Sequence, residues 1–292
     1  MGSDRRADAH YLHAPRPLEP VISAPIEAPR ALSWRGDSDE LLVGAADGTV
    51  WSVETAYGTR KLFAGPEEPV QLCTRGPELA IIGASGQLSA FRQGAACWSV
   101  DTGLVAAQGL RFGRDGVAAV GDDARGRREV VCFDGSGAEL VRVPLPAGAA
   151  LGTDSVGEYV VARVTQAGLF VRYLEEILPG GDATSHRLRF ARAGRVVGVA
   201  TGGATLWVDP SLPPRNVRLL DTATAALHRD GHTLALGTRH GGVAIVDADG
   251  DPAARAHPAR VDMHGLPVRA MSFAARGRWL ATVADSCRVW AF

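Results

Sequence analysis

His228, His232 and His240 are the first residues in this chain whose type and spacing suggest chemistry. His-x-x-x-His on a helix turns two imidazoles to one face, where they can share a metal ion. Here the segment reads Leu227-His-Arg-Asp-Gly-His-Thr, a strand end followed by a turn, and no third ligand recurs nearby. A metal site is therefore not expected. Cys73, Cys97, Cys132 and Cys287 lie far apart and never as Cys-x-x-Cys, so neither zinc nor a redox pair is signalled. Each sits among apolar, strand-like neighbours, where a free thiol behaves as a small hydrophobe. Nucleophilic catalysis would need a strained Gly-x-Ser-x-Gly elbow or an equivalent triad; Gly83-Ala-Ser85-Gly86 reads as a hairpin turn instead. Gly202-Gly203 and Gly241-Gly242 occupy turns without a following helix to present its N-terminus to phosphate. No cofactor is expected.

The most distinctive polar segment is Asp122-Asp-Ala-Arg-Gly-Arg-Arg-Glu129. One reading is a solvated hairpin tip whose charges largely cancel. The functional reading is a docking loop, because the planar fork of arginine pairs two ways with carboxylates and anchors interfaces. On that reading Asp122, Asp123, Arg125, Arg127 and Arg128 share one rim with Glu67, Glu68, Arg239, His240 and Met263-His264. A second irregularity, Leu174-Glu-Glu-Ile-Leu-Pro-Gly-Gly-Asp182, is either a lateral docking element or a worn outer strand. Of the six tryptophans, Trp34, Trp51, Trp207, Trp279 and Trp290 fall in inner strands and read as core. Trp98 falls in an outer strand and is the contact candidate.

These residues are positioned by a repeat. The 292 residues are 46% hydrophobic and 22% charged, a globular composition. With 31 basic against 32 acidic residues, the net charge of −1 lacks the surplus a duplex DNA binder uses to displace counterions. Lys61 is the single lysine among the basic residues, which points to a G+C-rich, bacterial genome. No apolar run approaches the roughly eighteen residues of a membrane span. The polar, proline-bearing start lacks the apolar core of a secretory signal, so residues 1–19 read as a flexible leader and the compartment as cytoplasmic. Beyond it, short apolar runs alternate with glycine-bearing turns, the pattern of strands. Third strands end at Val53, Phe91, Phe133, Tyr173, Val208, Val246 and Trp290, separated by 38, 42, 40, 35, 38 and 44 residues. A spacing near 40 is the period of a four-stranded propeller blade.

The expected fold is therefore all-β: one seven-bladed β-propeller of four-stranded antiparallel blades over residues 20–292. The seventh unit stops at its third strand, which would leave an open edge. Val21 to Glu27 is a spare extended segment, and its flanking prolines at 20, 25 and 29 suit an outer edge strand. It is expected to complete the last blade and close the ring.

The last unit runs from His264-Gly-Leu-Pro-Val-Arg-Ala-Met-Ser-Phe through Arg278-Trp-Leu-Ala-Thr to Val289-Trp290, and it resembles the WD-repeat family. That resemblance implies a blade-stapling tetrad, in which His264, Thr282 and Trp290 match three places. Counting back from Trp290 puts Ala284 at the Asp place, with Asp285 one residue late. The other units match in outline: Asp47 holds the turn place in the first, Ser85 in the second and His240 in the sixth. The resemblance also implies the family's main role, assembling complexes. The expected function is a non-catalytic scaffold or adaptor that presents rim loops to one or more proteins. Neither nucleic acid, membrane nor obligate self-association is expected. The alternative is a small-molecule or hydrolytic propeller working from its central channel. Against it, the innermost strands carry Ser33, Leu72, Arg111, Gly152, Arg189, His228 and Ser272 without a carboxylate cluster.

Overall fold

The computed structural model describes residues 20–291 apart from positions 37, 55, 57, 66, 147–148, 154–158, 166–167, 175–186, 191–195, 201–202, 208–214, 219–220, 232, 248–258 and 262–263. The described residues open with β1 (Pro20–Ala24) and then lay down one antiparallel meander after another. The first comprises β2 (Pro29–Trp34), β3 (Glu40–Ala45), β4 (Thr49–Glu54) and β5 (Gly58–Ala64). The next is β6 (Pro69–Arg75), β7 (Glu78–Gly83), β8 (Gln87–Arg92) and β9 (Ala95–Asp101). Then come β10 (Leu104–Phe112), β11 (Gly116–Asp123), β12 (Arg128–Asp134) and β13 (Glu139–Pro144). A sheet of three strands follows, β14 (Ala150–Thr153), β15 (Tyr159–Thr165) and β16 (Gly168–Tyr173). Four-stranded order resumes with β17 (Arg187–Phe190), β18 (Val196–Ala200), β19 (Gly203–Trp207) and β20 (Arg215–Arg218). β21 (Thr222–Leu227), β22 (Thr233–Thr238), β23 (Val243–Asp247) and β24 (Ala259–Val261) form the next sheet. The last contains β25 (Ala270–Phe273), β26 (Trp279–Val283) and β27 (Cys287–Ala291), with β1 as its fourth strand. The architecture is an all-β propeller of four-stranded antiparallel blades.

Burial grades outward within each blade, which explains the sequence pattern. Second strands such as β3 and β7 are buried at every position but the first, because neighbouring sheets cover both faces and strands cover both edges. They therefore read as continuous apolar runs, Leu41-Leu-Val and Leu79-Ala-Ile-Ile, and not as alternation. Outer strands β5, β9 and β13 are largely exposed.

Apolar clusters fill the spaces between sheets. Leu42 and Val50 pack with Leu72, Leu79 and Phe91, while Cys73 and Ile82 pack with Leu110, Val117 and Phe133. Ala118 and Val130 meet Leu151 and Val161, and Val197 and Val199 meet Ala225 and Leu234. Ala235 and Val243 meet Met271, Leu280 and Trp290. Ala24, Ile26, Trp34 and Leu41 from the first part of the chain share a core with Ala281, Val283 and Val289 from the last. The Trp34 indole N–H also donates to the Ser272 carbonyl at 3.0 Å.

The first strand of the third sheet begins at Leu104, and two bulges let it follow the elongated β11. Of the expected closing segment Val21 to Glu27, the residues up to Ala24 lie in β1, which pairs antiparallel with β27, Ile22 opposite Val289 and Ala24 opposite Cys287. The leader, residues 1–19, and the irregular segment after Leu174 up to Asp182 lie outside the described residues.

Deleting residues 2–28 removes β1 together with the buried Ala24 and Ile26 and exposes β27 as an unpaired edge. The expected result is a fall in melting temperature of roughly 10 °C or more, while deletion of residues 2–17 leaves it within about 2 °C. Equal melting of both truncations by circular dichroism would refute the stabilising role of β1.

Candidate functional site

The chemistry of this molecule is concentrated on one rim, where second-to-third strand tips meet the loops that enter the blades. Three blades fasten the tip to the loop by a side-chain pair, each with different chemistry. In the last blade the His264 imidazole lies 2.8 Å from Asp285 through Nδ1 and 2.8 Å from Thr282 Oγ1 through Nε2. In the β21–β24 blade, Asp221 in the entering loop sits 3.3 Å from Nε2 of the tip residue His240. In the β6–β9 blade, Glu67 accepts from the Ser85 hydroxyl at 2.8 Å and from its N–H at 3.1 Å. Acid and partner exchange places between blades while the geometry persists. Each tip residue is the centre of its hairpin: Val283 pairs with Cys287 around Asp285, Gly237 with Val243 around His240, and Ile82 with Leu88 around Ser85.

The last blade holds a complete relay. Trp290 Nε1–H donates to Thr282 Oγ1 at 3.1 Å. The ionised Asp285 carboxylate can only accept, so His264 Nδ1–H donates to it, and Nε2 of the neutral ring then accepts from the Thr282 hydroxyl. Asp285 also accepts from the Gly265 N–H at 2.8 Å. Trp290, Thr282 and His264 are buried, so each partner lost would leave a dehydrated polar atom. Burial holds the His264 ring below the usual imidazole range, against the pull of Asp285, which keeps it neutral. Burial alone would raise the Asp285 carboxyl, but the hydrogen bonds from Gly265 and His264 outweigh it and bring it to about 2. Asp285, not Ala284, therefore fills the fourth place. Counting from Trp290 failed because this tip has one residue fewer between its centre and the anchor. Locating the hairpin centre would have found it.

The expected docking arginines are mostly committed within the chain. Asp123 accepts from the N–H groups of Arg125 and Arg127, at 2.8 Å each, and holds the Arg127 guanidinium through Nε at 2.8 Å and Nη2 at 2.6 Å. Arg128 Nε bonds Asp122 at 2.6 Å, its cross-strand partner. The segment is thus an extension of β11 and β12 with a tight tip, not a long loop. Arg125 projects from its centre, exposed and without a side-chain partner among the described residues. Glu68 pairs with Arg30 at 2.6 Å and offers its carbonyl to the Ala84 N–H. Arg239 is exposed, with its N–H bound to the Asp221 carbonyl. Met263 lies outside the described residues.

The remaining candidates separate in space. His228 and His240 flank opposite ends of β22, roughly 20 Å apart at about 3.3 Å per residue, so they cannot share an ion. His232 is outside the described residues, and among the described residues no group of three His, Cys, Asp or Glu gathers. Trp98 is structural: its N–H donates to the Gly135 carbonyl at 3.0 Å and its ring packs on Gly137, stitching β9 to the β12–β13 turn. Cys73 and Cys287 are enclosed, and burial pushes their thiols up to about 12. Arg111 on the innermost strand β10 was not singled out as a site, yet it is distinctive. Its Nη1 donates to the Leu110 carbonyl at 2.9 Å, and no carboxylate pairs with it among the described residues.

Fold and rim define a β-propeller with side-chain-locked loops. The solved structures similar to this chain include the β-propeller domain of Myceliophteria thermophila Cps50 (Swd1), with a TM-score of 0.70 and 16% identity over 94% of this chain and 100% of that one. At that identity the likeness is one of fold. No family model matches the chain, and no curated protein matches it by sequence.

Replacing Asp285 by Ala leaves His264 Nδ1 and the Gly265 N–H without their acceptor, at an expected cost of about 2–3 kcal/mol at pH 7. Because the Asp285 pKa is depressed in the fold, its stabilisation is complete above about pH 4 and fades as pH falls toward 2. The neutral His264 adds a contribution present above about pH 6.5 that weakens below it. Urea unfolding of wild type and variant should therefore converge between about pH 5 and pH 2. A gap that stays constant over that range would show that the pair does not titrate as described.

Proposed function

We propose that this chain is a non-catalytic scaffold whose rim loops hold one or more partner proteins in a larger assembly. The observation that carries this reading is the locking of loop to tip in three blades by His264–Asp285, Asp221–His240 and Glu67–Ser85. A loop held in this way spends little conformational entropy on binding, which favours specific, stable contact. Such a surface serves recognition and has no need of a mobile lid or a convergent set of acids and bases.

We propose further that the sheets form one seven-bladed ring of the WD-repeat type, closed by β1. The pairing of β1 with β27 and the core shared by Ala24, Trp34 and Val289 support this closure. The tetrad of Trp290, Thr282, His264 and Asp285 supports the repeat type. A bacterial source and a cytoplasmic setting complete the proposal; no helix among the described residues is long and apolar enough to cross a membrane. Within this reading Glu67, Glu68, Asp122, Asp123, Arg127 and Arg128 shape the rim, and Arg125, Arg239 and His240 face the partner.

Arg111 favours a second reading, a small anion held in the channel. A half-buried guanidinium with no carboxylate partner among the described residues invites a carboxylate or phosphate.

The deciding experiment is affinity purification of the tagged chain from its source cells, followed by light scattering and mass spectrometry. A partner at fixed stoichiometry, weakened by joint Arg125→Ala and Arg239→Ala substitution, is the expected result. A monomer that is stabilised by phosphate and loses that stabilisation on Arg111→Gln would overturn the scaffold in favour of the channel.

A further inference from the structure

At the junction between the β21–β24 and β25–β27 sheets an apolar side chain stands clear of the rim. Leu266 is 50% exposed, whereas Leu104, its counterpart between the second and third sheets, is 0% exposed. The two positions correspond because His264 N–H bonds the Gly241 carbonyl as Thr102 N–H bonds that of Gly86, and each leucine follows two residues later. Leu266 is not exposed through slackness. The Gly265 N–H is held by Asp285 at 2.8 Å and the Val268 N–H by the Thr238 carbonyl at 3.1 Å, so the loop is pinned on both sides of it.

Two cations flank this knob. Arg239 adjoins Thr238, and Arg269 follows Val268; both are exposed, with no side-chain partner among the described residues. The nearby acids are committed elsewhere, Asp221 to His240 and Asp285 to His264 and Gly265. Elsewhere on the rim Arg127, Arg128 and Arg30 have carboxylate partners, and Arg125, which also lacks one among the described residues, has no exposed leucine beside it.

We propose that this junction docks a short acidic segment of a partner protein, with Leu266 seated in an apolar recess of that segment and Arg239 and Arg269 pairing its carboxylates. The proposal rests on the scaffold reading and names its docking point. Arginine is enriched at interface hot spots, and an exposed leucine beside it gains free energy from leaving water when a partner covers it. The pinned loop removes much of the ordering cost. Nucleic acid fits less well: its phosphates would gain nothing from an apolar knob, and the chain's net charge of −1 offers no wider basic field.

The test selects a displayed library of random peptides against the intact chain, then measures one synthetic winner by fluorescence anisotropy. The expected winners carry carboxylates beside a large apolar residue. Their affinity should fall about tenfold or more in Leu266→Ala and in Arg239→Glu, and stay unchanged in Arg276→Glu on the opposite rim. All three positions are exposed, so matching melting curves should accompany these variants. Winners indifferent to Leu266 and Arg239 would overturn the docking point while leaving the scaffold intact. No enriched peptide, or an oligonucleotide competing through the same arginines, would overturn it as well. The co-purification above decides the scaffold reading separately.

Discussion

Three blades of this molecule depend on one backbone hydrogen bond that hands the chain on to the next. Gly65 N–H donates to the Gly48 carbonyl, Thr102 N–H to that of Gly86, and His264 N–H to that of Gly241. The accepting residue follows the hairpin centre, and its φ is 82°, 88° or 85°. Only glycine adopts this conformation without cost. At Gly86 and Gly241 a Cβ would also fall 2.1 Å from the Leu104 carbonyl oxygen and 2.0 Å from that of His264. Conformation and close approach thus impose the same residue. That bond ties each entering loop to the tip of the preceding sheet, beside the apolar clusters that β3, β7 and β22 share with their neighbours.

Given that backbone constraint, the side chains across the tip are free to vary. Asp285 faces His264, His240 faces Asp221, and Ser85 faces Glu67, all in the same place. The pairs differ in strength with burial. Tip and loop in the last blade belong to a relay that ends on buried Trp290, where unpaired atoms are expensive. His240, by contrast, has a side chain 79% exposed, so its contact with Asp221 adds little to stability and leaves the imidazole available at the surface. One geometry therefore serves structure in the last blade and presentation in the one before it.

Much of the fold was legible because strand repeats write themselves twice, in the spacing of apolar runs and in the glycines that turn between them. β3, β7, β11 and β26 fall where those runs lie. The candidate site was less legible, for reasons of register. That Arg128 is spent on Asp122 follows from their being opposite one another across β11 and β12, which depends on where the hairpin centres. A linear reading sees three arginines in a polar stretch and cannot tell which is spare. Asp285 was misplaced for a similar reason, since distance from Trp290 assumed a tip of fixed length. The exposure of Leu266 is harder still, because Leu104 occupies the matching position with the same side chain and the opposite environment.

That last contrast has a physical cause that bears on function. Leu104 opens β10 and pairs with Asp123 on the elongated β11, so a strand covers it. In the last blade β25 begins only at Ala270 and β26 ends at Val283, short of the loop that carries Leu266. The shorter blade needs another way to fix that loop, and Asp285 provides it through His264 and the Gly265 N–H. Polar locks thus replace strand pairing where the sheet is short, and a replacement of this kind holds the backbone without covering the side chain. Leu266, on a loop fixed by polar atoms, therefore remains available to a partner, whereas Leu104 does not.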